Sequence, residues 1–294
     1  MGNKSKKIMS LIKEDINTTD IEVLKEHFYE ILNNKIHGMC FSPYIKDQKP
    51  GDNITESQIR ERLKIIKPFT NWIRTFSCTQ GNELIPKIAH ELGFKTLVGA
   101  WIGEDKENNE IEISNLVDLA NKGFVDIAAV GNEVILREEI EEEDLIAYIK
   151  KTKEQLPNIP VSYVDAYYEF CDRPEIADAC DVILANCYPF WEGCQTEYSL
   201  LYMKDMYRRV EKVAKGKKII ISETGWPNTG SNFWTASPSE ENALRYFINA
   251  YTWAEEENID IFYFATFDES WKIEDEGDVG AYWGIWNTDG KLKY

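Results

Sequence analysis

The stretch Ile127-Ala128-Ala129-Val130-Gly131-Asn132-Glu133 is an apolar run that ends in a carboxylate, and Ile219-Ile220-Ile221-Ser222-Glu223 repeats this pattern later in the chain. Short apolar runs rich in β-branched residues are typical of strands that are buried on both faces. Six further β-like runs occur between residue 36 and the end of the sequence. The eight predicted strands are 37–42, 71–76, 95–101, 126–131, 160–165, 181–187, 218–223 and 260–267.

Amphipathic helical patterns fill the intervals between these strands, and the clearest are 56–67, 113–121, 144–155, 198–214 and 239–256. Eight strands that alternate with helices predict a single α/β domain, a closed parallel (β/α)8 TIM barrel, over residues 36–294. No glycine-rich dinucleotide or phosphate-binding motif follows the first strand, which argues against an open doubly wound sheet.

A separate N-terminal segment, residues 1–35, precedes the barrel pattern. Residues 1–17 are predicted to be a polar leader. Thr19-x-x-Glu22 resembles a capping box, and the apolar residues that follow it recur at helical spacing. We therefore expect one helix here, packed on the barrel as an extension.

The net charge of −18 and the pI of about 4.7 disfavour polyanionic partners, so we expect neither nucleic acid nor anionic membrane to bind. No run approaches the ~18 apolar residues of a membrane span, and no secretory signal is visible. The chain as given is expected to be cytoplasmic, with a removed leader as the open alternative.

Metal and redox chemistry have no recognisable sequence pattern. The six cysteines form no C-x-x-C pair, and the three histidines are isolated from one another. We expect reduced, mostly buried thiols and no metal or organic cofactor.

Glu133 and Glu223 both follow apolar strands, at the end of the barrel where active sites of this architecture lie. A carboxylate at such a position is costly unless it is paired or hydrogen-bonded. Glycoside hydrolysis requires two of them, one protonated to assist the leaving oxygen and one ionised. The alternative interpretation is an ordinary ion pair of each carboxylate with a neighbouring Arg or Lys at the barrel rim.

Residues 130–134, Val-Gly-Asn-Glu-Val, and 222–227, Ser-Glu-Thr-Gly-Trp-Pro, resemble the two signature segments of glycoside hydrolase family 17. Residues 38–44 and 73–76 resemble the first two strands of that family, so the resemblance covers roughly residues 36–294. The family contains β-1,3-glucanases, β-1,3-1,4-glucanases and β-1,3-glucan transglycosylases. The short loops and the N-terminal helix look more like its bacterial members than its plant members.

The resemblance implies a retaining enzyme that cleaves β-1,3-glucan or its oligosaccharides by double displacement. It implies that Glu133 is the acid/base and Glu223 the nucleophile, that Asn132 binds the sugar 2-hydroxyl, and that the phenol of Tyr188 holds the nucleophile ionised. The structural alternatives are a strand-end cap for Asn132 and a core tyrosine for Tyr188.

Six further residues at the predicted strand ends are expected to bind substrate, and they are Tyr44, Arg74, Trp101, Trp226, Glu269 and Lys272. Glu269 and Lys272 match the spacing of a Glu and a Lys that the family commonly has after strand eight, although a simple salt bridge would give the same pattern. Trp226 is the strongest candidate for a structural role, since Pro227 fixes it directly after the nucleophile.

Three competing functions remain to be compared. A β-1,3-glucanosyltransferase would use the same two carboxylates and the same covalent intermediate. A sugar-binding protein on an inactive barrel would not need both carboxylates intact. A serine hydrolase is not supported, because the sequence has no G-x-S-x-G motif. A metal-dependent hydrolase is not supported, because the sequence has no convergent His and Asp.

Overall fold

Eight parallel strands form a closed barrel in sequence order, with β1 paired to both β2 and β8. The computed structural model describes residues 20–294. The strands are β1 Ile36–Cys40, β2 Thr70–Thr75, β3 Lys95–Ala100, β4 Ile127–Asn132, β5 Val161–Ala166, β6 Ile183–Asn186, β7 Ile219–Thr224 and β8 Asp260–Tyr263. This confirms the predicted TIM barrel.

Helices surround the barrel and connect its strands. The α-helices are α1 Ile21–Asn33, α2 Glu56–Ile66, α3 Leu84–Glu91, α4 Lys106–Asn121, α5 Glu142–Gln155, α6 Tyr167–Asp172, α7 Pro174–Ala179, α8 Thr196–Ala214, α9 Glu240–Glu257 and α10 Ile273–Glu276. Two 3-10 turns, Ser270–Lys272 and Gly277–Tyr282, flank α10.

The first seven predicted strands agree with the structure to within two residues at each end. Strand eight was predicted to continue to residue 267 but ends at Tyr263. Beyond this point the chain pairs with a later segment, because Ala265 donates to the carbonyl of Trp283 and Ile285 donates to the carbonyl of Ala265, both at 3.1 Å. Pairing between segments that are far apart in sequence does not change the local pattern of apolar residues, so that pattern could not show where strand eight ends.

Helix α4 begins seven residues earlier than its apolar pattern predicts. Asp105 caps it by accepting hydrogen bonds from the backbone of Glu107 and Asn108. The first turn is largely polar, so its helical character comes from the cap rather than from buried apolar residues.

Helix α1 confirms the predicted N-terminal extension. Leu24, Phe28 and Leu32 are fully buried, and the ring of Phe28 packs against Phe247 of α9 at 4.8 Å. The predicted cap at Thr19 is wrong by one residue, because Asp20 accepts the hydrogen bond from the backbone of Glu22. The predicted leader, residues 1–17, lies outside the described residues.

Two strands carry one extra residue relative to their neighbours. Between Ala129 and Asn132, β4 advances three residues while β5 advances two. Strand β7 gains a residue in the same way against both β6 and β8, just before Thr224. Among the described ladders only β4 and β7 gain a residue, and these are the two strands that end in the candidate catalytic carboxylates.

No described helix is both long and apolar enough to cross a bilayer. All six cysteines are free thiols, and four of them are buried. Within residues 20–294 no group of three or more His, Cys, Asp or Glu side chains has an arrangement that could hold a metal ion.

Candidate active site

Glu133 and Glu223 lie side by side at the carboxyl end of the barrel, joined by Asn186 at the end of β6. The amide nitrogen Nδ2 of Asn186 donates to Oε1 of Glu133 at 2.7 Å and to Oε1 of Glu223 at 3.1 Å. These two oxygens therefore lie no more than 5.8 Å apart, the sum of the two distances. Retaining glycosidases hold their carboxyl groups about 5–5.5 Å apart, whereas inverting enzymes need about 6.5–9.5 Å.

Glu223 is held by three donors and is almost fully buried. Arg74 Nη1 lies 2.5 Å from Oε1, the hydroxyl of Tyr188 donates to Oε2 at 2.7 Å, and Asn186 supplies the third contact. A cation and two hydrogen bonds favour the ionised form of a carboxyl group. The predicted pairing of Tyr188 with the nucleophile position is therefore present in the structure.

Glu133 has a different environment from its neighbour. Burial raises its pKa, the charge of Glu223 raises it further, and the pKa reaches about 7. Asn186 is the donor that contacts this carboxylate, and it offsets part of the rise. A carboxyl group that holds its proton near neutral pH is what a general acid needs, and a carboxylate held by a cation and two hydrogen-bond donors is suited to be the nucleophile.

The backbone of Glu133 is left-handed, with φ of +53°, and it follows Gly131 at φ of +91°. A non-glycine residue in this region is strained by roughly 1–3 kcal/mol and persists only where its surroundings hold it. Its N–H donates to the carbonyl of Val164 at 2.8 Å. The side chain is thereby directed into the barrel mouth beside Asn132.

Tyr163 and Asp165 hold the loop that follows Glu133. The hydroxyl of Tyr163 accepts from the N–H of Ile135 at 3.0 Å and donates to the carboxylate of Asp165. Asp165 also accepts from the N–H of Leu136 at 3.4 Å. Burial raises the pKa of Asp165 to about 6, despite these hydrogen bonds.

Arg74 was predicted to bind substrate, and the structure shows which residues it contacts. Its guanidinium is buried and contacts Glu223, the carbonyl of Ser222 at 3.1 Å and Oδ1 of Asn132 at 2.5 Å. It also stacks on the ring of Phe76 at 4.4 Å. The contacts of Arg74 therefore place its charge against Glu223, and its predicted contact with substrate stays a prediction.

Asn132 accepts that bond from Arg74 through its oxygen, so its amide group is oriented with the NH2 away from Arg74. Its amide nitrogen donates to no other residue within the described chain and is not enclosed. The orientation leaves this donor available to a sugar hydroxyl, as the sequence predicts.

Glu269 and Lys272 form the salt bridge that the sequence left as an alternative. Lys272 Nζ lies 2.7 Å from Glu269 Oε2, and the indole of Trp271 donates to the other carboxylate oxygen at 3.1 Å. Burial alone would lower the pKa of Lys272, but Glu269 and Glu276 outweigh it and hold the pKa above its usual value. The pair is neutral as a whole, and the Lys272 ammonium is the member that the charge of Glu223 also stabilises.

Of the predicted substrate contacts Tyr44, Trp101 and Trp226, one ring is accessible to solvent and two are buried. Trp101 is 40% exposed at the mouth, and the guanidinium of Arg137 covers one face at 4.6 Å. Tyr44 is buried and its hydroxyl accepts from Asn82 at 3.2 Å. Trp226 is 1% exposed and donates to the carbonyl of Ser237 at 3.0 Å, so its predicted substrate contact is wrong because the ring is core.

The sequence analysis did not single out two residues that the structure brings to the site. Asn186 bridges the carboxylates, and its Oδ1 accepts from Ser222 at 2.8 Å, which fixes the amide orientation. Tyr168 lies near Glu133: burial raises its pKa to about 12, and the carboxylates of Glu169, Asp165 and Glu133 add to that rise. The polar end of β6 was the available signal for Asn186, whereas Tyr168 belongs to a helix too short to be read from periodicity.

Comparison with known proteins adds an independent line of evidence. Residues 38–284 match the family model described as the BtgE/BtgC glycoside hydrolase domain. The chain is 28% identical over 258 residues to a protein named glucan 1,3-beta-glucosidase BGL2 from Candida albicans, an alignment that spans 79% of this chain and 83% of that protein.

Solved structures show the same architecture. The crystal structure of a glycoside hydrolase family 17 beta-1,3-glucanosyltransferase from Rhizomucor miehei has 28% identity and a TM-score of 0.79, covering 89% of this chain and 96% of that one. An endo-laminarinase from Formosa, at 21% identity and a TM-score of 0.79, covers 90% of this chain and 87% of its own, and it supports the fold alone.

Proposed function

Because the chain belongs to the BtgE/BtgC glycoside hydrolase domain family, a β-1,3-glucanase-like group, we propose that it cleaves β-1,3-glucan or its oligosaccharides with retention of anomeric configuration. The observation that carries the mechanism is the pair of carboxylate oxygens on one Asn186 nitrogen, within 5.8 Å of each other by the sum of 2.7 and 3.1 Å. That spacing leaves no room for a water molecule to attack directly, and it fits a covalent intermediate.

In the first step Glu223 attacks the anomeric carbon while Glu133 gives its proton to the departing glycosidic oxygen. The carbon–oxygen bond breaks and a glycosyl ester of Glu223 forms. In the second step Glu133, now ionised, takes a proton from water, and the water oxygen displaces Glu223 from the anomeric carbon. Both residues return to their starting protonation states.

Three groups support these roles. Arg74 and Tyr188 stabilise the charge of Glu223 before attack and after its release. The amide of Asn132, aligned by Arg74, is placed to donate to the 2-hydroxyl of the sugar bound at the reaction centre. Hydrogen bonds to that hydroxyl strengthen as the transition state forms.

A neutral glucan is the substrate that the electrostatics favour. The net charge of −18 opposes the approach of polyanions such as nucleic acid, and an uncharged polysaccharide does not experience that repulsion. The chemistry needs two carboxyl groups and no cofactor.

Transfer to a second sugar is the alternative fate of the same intermediate, and the likeness to the Rhizomucor miehei glucanosyltransferase favours testing it. Purified protein is incubated with laminari-oligosaccharides, laminarin, lichenan and cellulose, with and without EDTA, and products are separated by chromatography. Products shorter than the substrate indicate hydrolysis, and products longer than the substrate indicate transfer. Cleavage of cellulose with none of laminarin would refute the linkage, and loss of activity in EDTA would refute cofactor independence.

A further inference from the structure

Trp234 stands out from the other apolar side chains of the described residues because it is 85% exposed. The other large exposed apolar residues there reach at most 53%. Trp234 belongs to the loop that follows β7, the strand that carries Glu223. An indole is the largest apolar surface that a side chain can offer to solvent, and it gains most from a flat ligand that covers it.

The backbone around Trp234 is held firmly. Phe233 and Ala236 exchange two backbone hydrogen bonds of 2.9 and 3.0 Å, which close a tight turn around the indole. The hydroxyl of Thr235 donates to the carbonyl of Gly193 in the neighbouring loop. Trp234 has φ of +54°, a conformation that a non-glycine residue adopts only under constraint.

Gly193 fits directly beneath the indole. It is buried and has φ of +68°, and a Cβ added to it would lie 2.8 Å from the Cβ of Trp234. The two loops therefore meet at a close contact that any larger residue would force apart. A surface side chain whose backbone is fixed by two loops is already ordered before a ligand arrives, which lowers the entropy cost of binding.

A row of aromatic rings runs from Phe233, the sequence neighbour of Trp234, to the reaction centre. Phe233 lies 5.3 Å from Trp191, which lies 5.5 Å from Trp283. Trp283 lies 5.6 Å from Tyr188, whose hydroxyl donates to Glu223. The loop that carries the exposed indole is thus packed against the side of the barrel mouth that holds the nucleophile position.

We propose that Trp234 is a distal sugar-binding platform, which stacks on a glucosyl unit several residues away from the bond that is cleaved. The proposal rests on the proposed function and extends it to the length of glucan that the enzyme prefers. The apolar face of a pyranose ring suits an indole, and ligand sites combine such faces with a few polar groups. Here the polar side chains of Thr229, Ser231 and Thr235 lie in the same loop, and the hydroxyls of Ser231 and Thr235 are held in place because they donate to Asp278 and to the carbonyl of Gly193.

A single protruding ring offers too little surface to bind a protein partner. Specific protein interfaces cover about 800 Å² on each partner, with a packed apolar centre. The exposed residues near Trp234 in its loop are polar, namely Ser231, Asn232 and Thr235, whereas its apolar neighbour Phe233 is partly buried against Trp191. A chain of sugar units needs only one face of the ring.

The test compares Trp234→Ala with Trp234→Tyr and with Ile111→Ala, a control that removes a 53% exposed apolar side chain from the outer helix α4. Values of kcat/KM are measured on laminari-oligosaccharides of increasing length and on laminarin. For Trp234→Ala we expect a loss of about tenfold on long substrates, carried by KM, and no change on the shortest one that the wild type cleaves. Trp234→Tyr should recover much of the loss, and Ile111→Ala should match the wild type at every length.

Four results would overturn the proposal. If Trp234→Ala has the same kcat/KM as the wild type at every substrate length, Trp234 is not a sugar-binding platform. The proposed function still holds in that case, provided that the wild type cleaves laminarin. An equal loss on short and long substrates would mean that Trp234 maintains the reaction centre instead. A wild-type dimer in solution that Trp234→Ala converts to monomer, with unchanged length dependence, would assign the ring to contact between two copies of the chain. A wild type inactive on every β-1,3-glucan would overturn the proposed function together with this extension.

Discussion

Glu133 and Glu223 accept hydrogen bonds from the same nitrogen atom, Nδ2 of Asn186. The shared donor couples the two carboxyl groups in position, while their other contacts differ. Glu223 also has Arg74 and Tyr188, whereas Glu133 lies against buried surroundings and the charge of its neighbour. Two chemically identical side chains therefore have different environments, and burial together with the charge of Glu223 raises the pKa of Glu133.

Glu223→Ala is expected to lower kcat by at least ~10³, since the covalent intermediate can no longer form. Added azide should restore turnover by entering the space that the carboxylate leaves, and it should attack from the nucleophile's side. The product of a β-glucoside would then be the α-glycosyl azide, identified by NMR. A β-glycosyl azide from this variant would place the nucleophile elsewhere.

Glu133→Ala should affect substrates according to their leaving groups. Natural glucan needs a proton on the departing oxygen, so its cleavage should fall by about 10²–10⁴. A dinitrophenyl glucoside leaves without protonation, so formation of its glycosyl–enzyme should change little. Pre-steady-state release of dinitrophenol measures this step, and equal losses on both substrates would argue against the acid role.

Tyr188→Phe is expected to lower kcat about tenfold. The reason is that Glu223 loses the hydrogen bond of 2.7 Å that the phenol donates. The matched control is Tyr251→Phe, whose hydroxyl donates to the carbonyl of Gly38 instead and whose kcat should stay near that of the wild type. An unchanged kcat in Tyr188→Phe would mean that the phenol serves packing alone.

Asp165→Asn should move the basic limb of the profile to lower pH. Burial and Glu223 are the main causes of the raised pKa of Glu133, and the charge of Asp165 adds to them. The amide keeps a side chain of the same shape but removes that charge. Asp178→Asn, an exposed carboxylate paired with Lys215, is the control that should leave both limbs unchanged.

Glu133→Gln is expected to stabilise the fold, and more at pH 8 than at pH 5. The pKa of Glu133 is about 7 in the folded chain, against 4.5 for an unperturbed glutamate, so the folded state binds more protons between these values. Wild-type stability therefore falls as the pH rises from about 4.5 to 7, and a glutamine avoids that fall. Thermal unfolding should show a gain of about 2 °C or more at pH 8, the shift that ~1 kcal/mol produces in a domain of this size. A gain that is the same at both pH values would contradict the linkage.

The sequence predicted the barrel and its two carboxylates because both depend on local pattern. An apolar run followed by Glu is visible within seven residues, and the barrel follows from the repeat of such runs. The role of Arg74 could not be read in this way. Its partners Asn132 and Glu223 come from strands on other parts of the barrel, and nothing near Arg74 indicates which side chain it faces.

The aromatic residues show the same limit. Trp101 and Trp226 both follow strand ends, yet one is exposed and the other is core. The difference comes from the segment around Ser237, which covers Trp226 and accepts its indole hydrogen bond. Which ring a loop covers depends on its path in three dimensions. The cytoplasmic location and the absence of a cofactor stay predictions.

The extra residues in β4 and β7 have a consequence for anyone who would move this active site to another scaffold. In a regular strand successive side chains point to opposite faces, so the face that a residue occupies depends on how many residues precede it. The additional residue before each carboxylate reverses the face to which the residues after it point. A designed barrel with uniform strands would hold the same amino acids and direct those that follow the insertion to the opposite face. Grafting must therefore transfer the insertion along with the side chains.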